Sequence, residues 1–581
     1  MTDNDNPAKR PASGLRRSLT SYGDARFSLF LRKAFIKAMG YSEDALERPI
    51  VGIANTYSGY NACHQTVPLL VEAVRRGVNL AGGLAVDFPT ISLHESFAHP
   101  TSMLYRNLMA MDSEEMLGAQ PMDAVVLIGG CDKTVPAQLM AAASADIPAV
   151  QVVTGPMMTG SHRGERLGAC TDCRRFWARF RAEEIDEAEI EEVSGQLAPT
   201  AGTCMVMGTA STMACVTEAM GMMLPGGACI PAVQADRLRH AEASGARAVA
   251  LAAEDLRPSA IMTPEALTNA LRVLLAIGGS TNALIHLTAI AGRLGIAVDL
   301  ERFDALGRET PVLVDLKPSG QHYMEDMQRA GGLAPLLREL KPLLHLDCMT
   351  VTGRTLGEEI EAAKTAWPQD VIRPRDNPIH AAGGLAVLRG NLAPKGAVLK
   401  TSAASAELLQ HEGRAVVFDS LEDLAKRIDA ADLDVEADDI LVLRNAGPRG
   451  APGMPEAGAL PIPRKLATQG VKDMVRISDA RMSGTAFGTV VLHVSPEAAA
   501  GGPLALVQSG DRIRLDVAER RLELLVEASE LERRRGETPV ARPAEAERGY
   551  KQLHLDRVLQ AEEGCDLDFL TREPKTVSVP V

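Results

Sequence analysis

Val125–Leu139 reads V-V-L-I-G-G-C-D-K-T-V-P-A-Q-L and places a soft ligand, a hard ligand and an amine back to back at Cys131, Asp132 and Lys133. Thiolates select soft metals and iron–sulfur clusters, whereas carboxylate oxygens suit Mg²⁺. The plain alternative is a buried cysteine beside an ordinary surface ion pair. Two more cysteines share the setting: Cys63 in N-T-Y-S-G-Y-N-A-C-H-Q-T-V-P and Cys204 in A-G-T-C-M-V-M-G-T-A-S-T-M-A. Each follows a polar or glycine-rich turn and precedes an apolar helix, and Pro68 and Pro136 stand five positions after Cys63 and Cys131. A helix N-terminus carries partial positive charge and favours thiolate, so three cysteines so placed point to a metal or cluster site. Glu95, in D-F-P-T-I-S-L-H-E-S-F-A-H-P with Asp87, His94 and His99, is a candidate hard-metal ligand in what is otherwise a solvated loop.

These residues need a strand-to-helix scaffold. Val125–Ile128 is an aliphatic run ending at Gly129-Gly130, and Pro136 opens an alanine-rich helix. Strand-to-helix turns of α/β proteins face the ligand crevice. Ile50–Ala54 repeats the pattern before Cys63. Alternating signals across the first half predict a mostly parallel sheet covered by helices. In G-G-S-T-N-A-L-I-H-L, Ser280 and Thr281 cap a helix that serves packing and positioning. The acidic run 183–192 reads as a solvated helix face. Cys170 and Cys173 form C-T-D-C, which lacks the second pair zinc requires; a redox dithiol and a pocket-shaping loop are the two readings, with the loop favoured. From His380 the texture changes to short strands and Gly/Pro turns, with strands expected at 415–418, 440–444, 475–477, 490–494 and 512–515. This predicts a smaller β-rich barrel. Its loop N-A-G-P-R-G-A-P-G-M-P-E ends at Glu456, and I-S-D-A-R-M-S-G-T-A-F-G presents the Ser483 hydroxyl; turn chemistry alone would account for either in isolation.

At 581 residues the chain is long enough for at least two domains. Acidic side chains outnumber basic ones, 75 to 61, for a net charge of −14, which argues against a nucleic-acid partner. Nothing approaches the ~18 consecutive apolar residues of a membrane span, so a membrane role is not expected. The first eighteen residues are polar and read as a mobile arm, or one that orders against another subunit. Nine scattered cysteines in a chain with no signal core favour free thiols or ligands over disulfides, and the compartment expected is the cytoplasm.

Taken jointly, N-A-C-H, H-E-S, G-G-C-D-K-T-V-P, A-G-T-C-x-x-M-G-T-A-S-T-M-A, G-G-S-T-N, G-x-P-G-M-P-E and S-D-A-R-M-S-G-T closely resemble the dihydroxy-acid and sugar-acid dehydratase family, in order, over roughly residues 25 to 570. The resemblance implies an α/β fold with a large N-terminal α/β domain (25–384, after an arm at 1–24) and a smaller β-barrel-like domain (385–581) carrying Glu456 and Ser483. It implies that Cys63, Cys131 and Cys204 hold an iron–sulfur cluster with one iron open to substrate, 2Fe-2S rather than 4Fe-4S. It implies Mg²⁺ on Glu95, Asp132, Glu456 and a carbamylated Lys133, Ser483 as base, and His64 and Thr485 as candidate substrate contacts.

The activity so implied is dehydration of a 2,3-dihydroxy acid to a 2-keto-3-deoxy acid, with cluster iron as Lewis acid for the 3-hydroxyl and Ser483 removing the C2 proton. A-C-T-D-C-R-R, G-A-P-G-M-P-E-A-G and S-D-A-R-M-S-G-T-A-F-G resemble the branch acting on pentonates such as L-arabinonate or D-xylonate. The alternative is the dihydroxy-acid dehydratase of branched-chain amino-acid synthesis. An iron–sulfur sensor is a third reading, disfavoured because a sensor needs only the thiolates. The resemblance further implies a homodimer or homotetramer whose only other partner is a small sugar acid.

Overall fold

The computed structural model describes residues 13–19, 21–363, 367–537 and 546–573. Its first sheet is built from β1 (Ile50–Asn55), β2 (Leu84–Pro89), β3 (Ala124–Gly129) and β4 (Ala149–Val153), all parallel in the order β2-β1-β3-β4. Every residue of β3 and β4 is buried. Such unbroken aliphatic runs are what a parallel sheet covered on both faces requires. Helices Val67–Leu80, Arg106–Ala119 and Thr134–Ala145 make the crossovers. Downstream lie a hairpin of β5 (Gly160–His162) and β6 (Glu165–Leu167) and a set of helices, among them Thr171–Arg181, Thr209–Ala219 and Thr281–Leu294. Thr209–Ala219 is buried along its whole length, so it serves as the core of the α/β half. The acidic run contributes helix Glu187–Ser194.

The second sheet has eight strands: β7 (Ala386–Leu388), β8 (Gly396–Leu399), β9 (Gln410–Phe418), β10 (Ile440–Leu443), β11 (Arg476–Ser478), β12 (Val490–Ser495), β13 (Arg512–Asp516) and β14 (Arg521–Leu524). Their order is β14-β13-β9-β10-β11-β12-β8-β7, parallel from β9 to β12 and antiparallel at both flanks. A bridge between Arg389 and Arg521 joins the two edges, so the sheet curls into a nearly closed barrel. Closure removes exposed strand edges, and the aliphatic residues of the barrel form their own core. The short strands expected from the sequence all occur, each within a few residues of its predicted place.

Two segments depart from a simple division of the chain. Residues 13–19 lie against the chain itself rather than forming a free arm. The Gly14 N–H donates to Asp123, Arg17 donates to the Met122 carbonyl, and Leu15 is buried. Residues 1–12 of the expected arm are outside the described residues. At the other end, Gly549–Arg557 and the turns after it leave the barrel and return to the α/β half. There Arg106 and Asn107 donate to the Cys565 carbonyl, and Arg293 pairs with Asp566, both completely buried. Among the described residues no helix is long and apolar enough to cross a membrane.

Candidate active site

The sheet delivers its chemistry at the C-terminal ends of β1 and β3. β3 runs into Gly129-Gly130, and a Cβ on Gly130 would collide with the Thr154 hydroxyl, so the turn that presents Cys131 requires glycine. Cys63 sits in the 3₁₀ turn Ala62–His64 after β1, its N–H donating to Asn61 at 3.1 Å. Its thiol is close enough to feel Cys131, Cys204 and Asp132. Cys204 approaches from the loop before Thr209–Ala219 and feels the charge of Asp132. The three expected thiols therefore converge on the ends of β1 and β3.

Convergence has an electrostatic consequence opposite to the one expected from helix termini. The hydrogen bond with Cys131 and burial push the Cys63 thiol well up, and the hydrogen bond with Cys170 and burial do the same to Cys204. At Cys63 and Cys204 these effects outweigh the helix dipole, and a positive centre among the sulfurs would restore the thiolates. This donor set fits an iron–sulfur cluster.

His64, expected to face substrate, is buried with both ring nitrogens engaged. Nε2 accepts the N–H groups of Gly130 and Cys131, both at 3.0 Å, and Nδ1 lies 2.9 Å from the Thr56 carbonyl. Burial lowers its pKa to about 4, so the ring is neutral, and it braces the Cys131 turn with no nitrogen left for a ligand.

Cys131 Sγ stands 3.5 Å from Asp132 Oδ1, the point where the thiols meet the carboxylates. Glu95, Asp132 and Glu456 bring one oxygen each within 4.8 Å of one another. Glu95 comes from the loop after β2 and Glu456 from the barrel, so the group spans both halves. Lys133, completely buried, pairs with Asp132 and lies 3.4 Å from Glu95 and 3.8 Å from Glu456. Burial and Arg481 push Lys133 down, but Asp132, Glu95 and Glu456 outweigh them and hold its pKa above that of an ordinary lysine. In this arrangement the site therefore holds Lys133 as an ammonium.

Sequence reasoning missed Arg481. It is completely buried, pairs with Glu456, faces Glu95 at 3.4 Å and donates to the Thr101 hydroxyl at 2.7 Å. Thr101 in turn donates to Glu95 at 2.7 Å, as does the Ser102 N–H at 3.2 Å. Burial opposes ionisation of Glu95, yet Lys133 and Arg481 keep its pKa well below the usual carboxylate range; burial raises Glu456 despite Arg481. The one available signal was an arginine two residues before Ser483 in a glycine-containing loop.

Ser483 is partly exposed, with its Oγ 2.8 Å from Thr485 Oγ1. The loop is clamped by the α/β half. Asn282 donates to the Met482 carbonyl at 3.0 Å and Thr171 to the Thr485 carbonyl at 3.1 Å. A Cβ on Gly484 would lie 2.7 Å from Ser280 and from the Thr209 nitrogen, which is why glycine follows the serine. Ser280 also caps Thr281–Leu294, as expected. Cys170 lies 3.5 Å, sulfur to sulfur, from Cys204, a proximity no spacing in the sequence announced.

Two family models cover most of the chain: the dihydroxy-acid/6-phosphogluconate dehydratase N-terminal region over residues 48–359 and its C-terminal region over 370–565. The chain belongs to the dihydroxy-acid/6-phosphogluconate dehydratase family. It is 49% identical to an L-arabonate dehydratase of Azospirillum brasilense over 563 residues, covering 95% of this chain and 96% of that protein. It is 48% identical to an L-arabinonate dehydratase of Rhizobium leguminosarum bv. trifolii over 557 residues, with the same coverage of each. A dihydroxy-acid dehydratase of Ignicoccus hospitalis is more distant, 40% identical over 563 residues, 94% of this chain and all of that protein. The family makes this chain a dehydratase, a hydro-lyase, and its resemblance is strongest to the sugar-acid branch.

Proposed function

We propose that this dehydratase removes water from an aldonate, a pentonate such as L-arabinonate or D-xylonate, to give a 2-keto-3-deoxy acid. The observation that carries the reading is the contact of Cys131 with Asp132, which puts a three-thiol set and a three-carboxylate set side by side, next to the clamped Ser483 loop. A 2Fe-2S cluster on Cys63, Cys131 and Cys204 and Mg²⁺ on Glu95, Asp132 and Glu456 would supply Lewis acidity, the first toward the leaving 3-hydroxyl and the second toward the substrate carboxylate.

The chain's own groups do the rest. Ser483 Oγ, as the alkoxide with the Thr485 hydroxyl donating to it, takes the C2 proton and becomes the neutral hydroxyl. Arg481, two residues away, adds fixed positive charge. The C2–H and C3–O bonds break, the proton and hydroxide leave as water, and the enol tautomerises to the 2-keto acid.

Carbamylation of Lys133 fits the charge balance of the site. Turning an ammonium into a carbamate removes two units of positive charge, and one divalent cation restores them. Dication and carbamate therefore belong together, while the ammonium belongs to the dication-free arrangement. Homo-oligomeric assembly, as dimer or tetramer, has support in the exposed aromatic residues Phe30 and Phe35 on helix Ala25–Ala38.

The test is a 2-keto acid assay on anaerobically purified protein with Mg²⁺. The panel comprises arabinonate, xylonate, galactonate, fuconate, gluconate and 2,3-dihydroxyisovalerate. Turnover of one or two aldonates is expected. Preference for dihydroxyisovalerate would transfer the protein to amino-acid synthesis.

A further inference from the structure

Three cysteines meet beside the cluster site in a way dehydration does not use. Cys170 is the N-cap of helix Thr171–Arg181, and Cys173 occupies its first turn. N-cap and N3 side chains lie on the same turn, and Cys170 and Cys173 pack in the same small cluster. On its other side Cys170 Sγ lies 3.5 Å from Cys204 Sγ. All three are partly exposed, so small oxidants reach them. They line one small apolar cluster with Ala62, the neighbour of Cys63. Cys170 is thus a hinge sulfur between a cluster ligand and a spare thiol.

We propose that Cys170 and Cys173 form a two-thiol relay that returns oxidised Cys204 to a thiolate after the cluster has been stripped by a peroxide. The proposal rests on the reading of Cys204 as a cluster ligand. The Cys204 sulfur attacks hydrogen peroxide, the S–H and O–O bonds break, water leaves, and the sulfur becomes a sulfenic acid. Cys170 thiolate attacks that sulfur and displaces hydroxide, which forms a Cys170–Cys204 disulfide. Cys173 then attacks Cys170 Sγ, forming Cys170–Cys173 as its proton passes to the departing Cys204 sulfur. The two electrons given to peroxide come in the end from the C-T-D-C pair, and an external dithiol reductant resets it. Cys204 is spared the irreversible step to sulfinic acid and is ready to receive iron again.

The full-length protein is treated with hydrogen peroxide, quenched in acid and alkylated, and its disulfides and cysteine acids are mapped by mass spectrometry. Wild type is expected to yield a Cys170–Cys173 disulfide and alkylatable Cys204. Cys173→Ser is expected to trap Cys170–Cys204, and Cys170→Ser to accumulate Cys204 sulfinic acid several-fold above wild type. Absence of Cys170–Cys204 in Cys173→Ser, or equal sulfinic acid in wild type and Cys170→Ser, overturns the relay. Iron and sulfide content of untreated Cys204→Ser reads the ligand assignment separately. Full content there sinks that assignment, whereas the disulfide map reports the thiol chemistry alone.

Discussion

Arg481 of the barrel and Glu95 of the α/β half face each other at 3.4 Å across the junction of the two halves. The guanidinium also pairs with Glu456, so one cation ties together two carboxylates assigned to Mg²⁺. Lys133 answers Glu95 within the α/β half and Arg481 answers Glu456 within the barrel, and the Arg481–Glu95 contact joins the two pairs into one network.

Replacing Arg481 with leucine removes that cation and leaves buried carboxylates underpaired. A loss of about 3–5 kcal/mol is expected, the usual cost of breaking a buried ion pair from one side. It should appear as a lower thermal midpoint. Added Mg²⁺ should raise the variant's midpoint more than the wild type's, since a dication replaces the missing charge. An unchanged midpoint would show that the pair contributes nothing.

Ser483→Ala should lower kcat by about 10²–10⁴-fold, the range for removing a general base. The visible cluster absorption should be unchanged, because the Thr171 and Asn282 clamps hold the loop through carbonyls that the substitution leaves in place. Normal turnover would remove Ser483 from the base role.

Cys131→Ser should lose visible absorption, iron and sulfide together. Retention of all three would take Cys131 off the ligand set.

Carbamate and dication should come and go together at Lys133. With ¹³C-bicarbonate, a carbamate carbon resonance is expected in the Mg²⁺-loaded protein, absent in Lys133→Met and lost on chelation. A signal that survives complete removal of Mg²⁺ would sever the link.

Acid should destabilise the fold through buried neutral histidines far from the site. Burial depresses both His240 and His554 to about 4. Between the unfolded value near 6.5 and about 4, the unfolded chain binds more protons than the native one, so stability falls as pH falls. The slope is about 1.4 kcal/mol per pH unit for each fully depressed histidine. Thermal midpoints from pH 7 to 4 should drop, and less steeply in His240→Gln. A flat profile would mean these rings accept protons in the native state.

Much of this architecture was legible because local signals agreed with it. Aliphatic runs gave β1 and β3, the second ending in glycine, and helix-opening prolines placed Cys63 and Cys131 at the strand ends. The barrel strands stood out by length and by the turns between them. What stayed hidden depends on contacts remote in sequence. Arg481 reads as a surface cation until the fold sets it against Glu95, 386 positions away. Cys170 reads as half of an isolated pair until Cys204 arrives beside it. His64 follows a cysteine in a motif that suggests chemistry, yet its position beneath the Gly130–Cys131 turn makes it a brace. Cys63 and Cys204, expected as thiolates, became raised thiols for a similar reason: helix termini can be read locally, burial beside another thiol only in three dimensions.

The buried pair of Arg293 and Asp566 has a meaning for how the molecule is made. Arg293 precedes Asp566 by 273 positions, so during synthesis the helix carrying the arginine emerges long before that partner exists. Until then Glu114, at 3.0 Å, is its one carboxylate partner, and the segment around Asp566 must thread back across the α/β half to complete the pair. A premature stop after the barrel would leave a product with every proposed ligand present and its keystone missing, one that quality-control proteases should recognise.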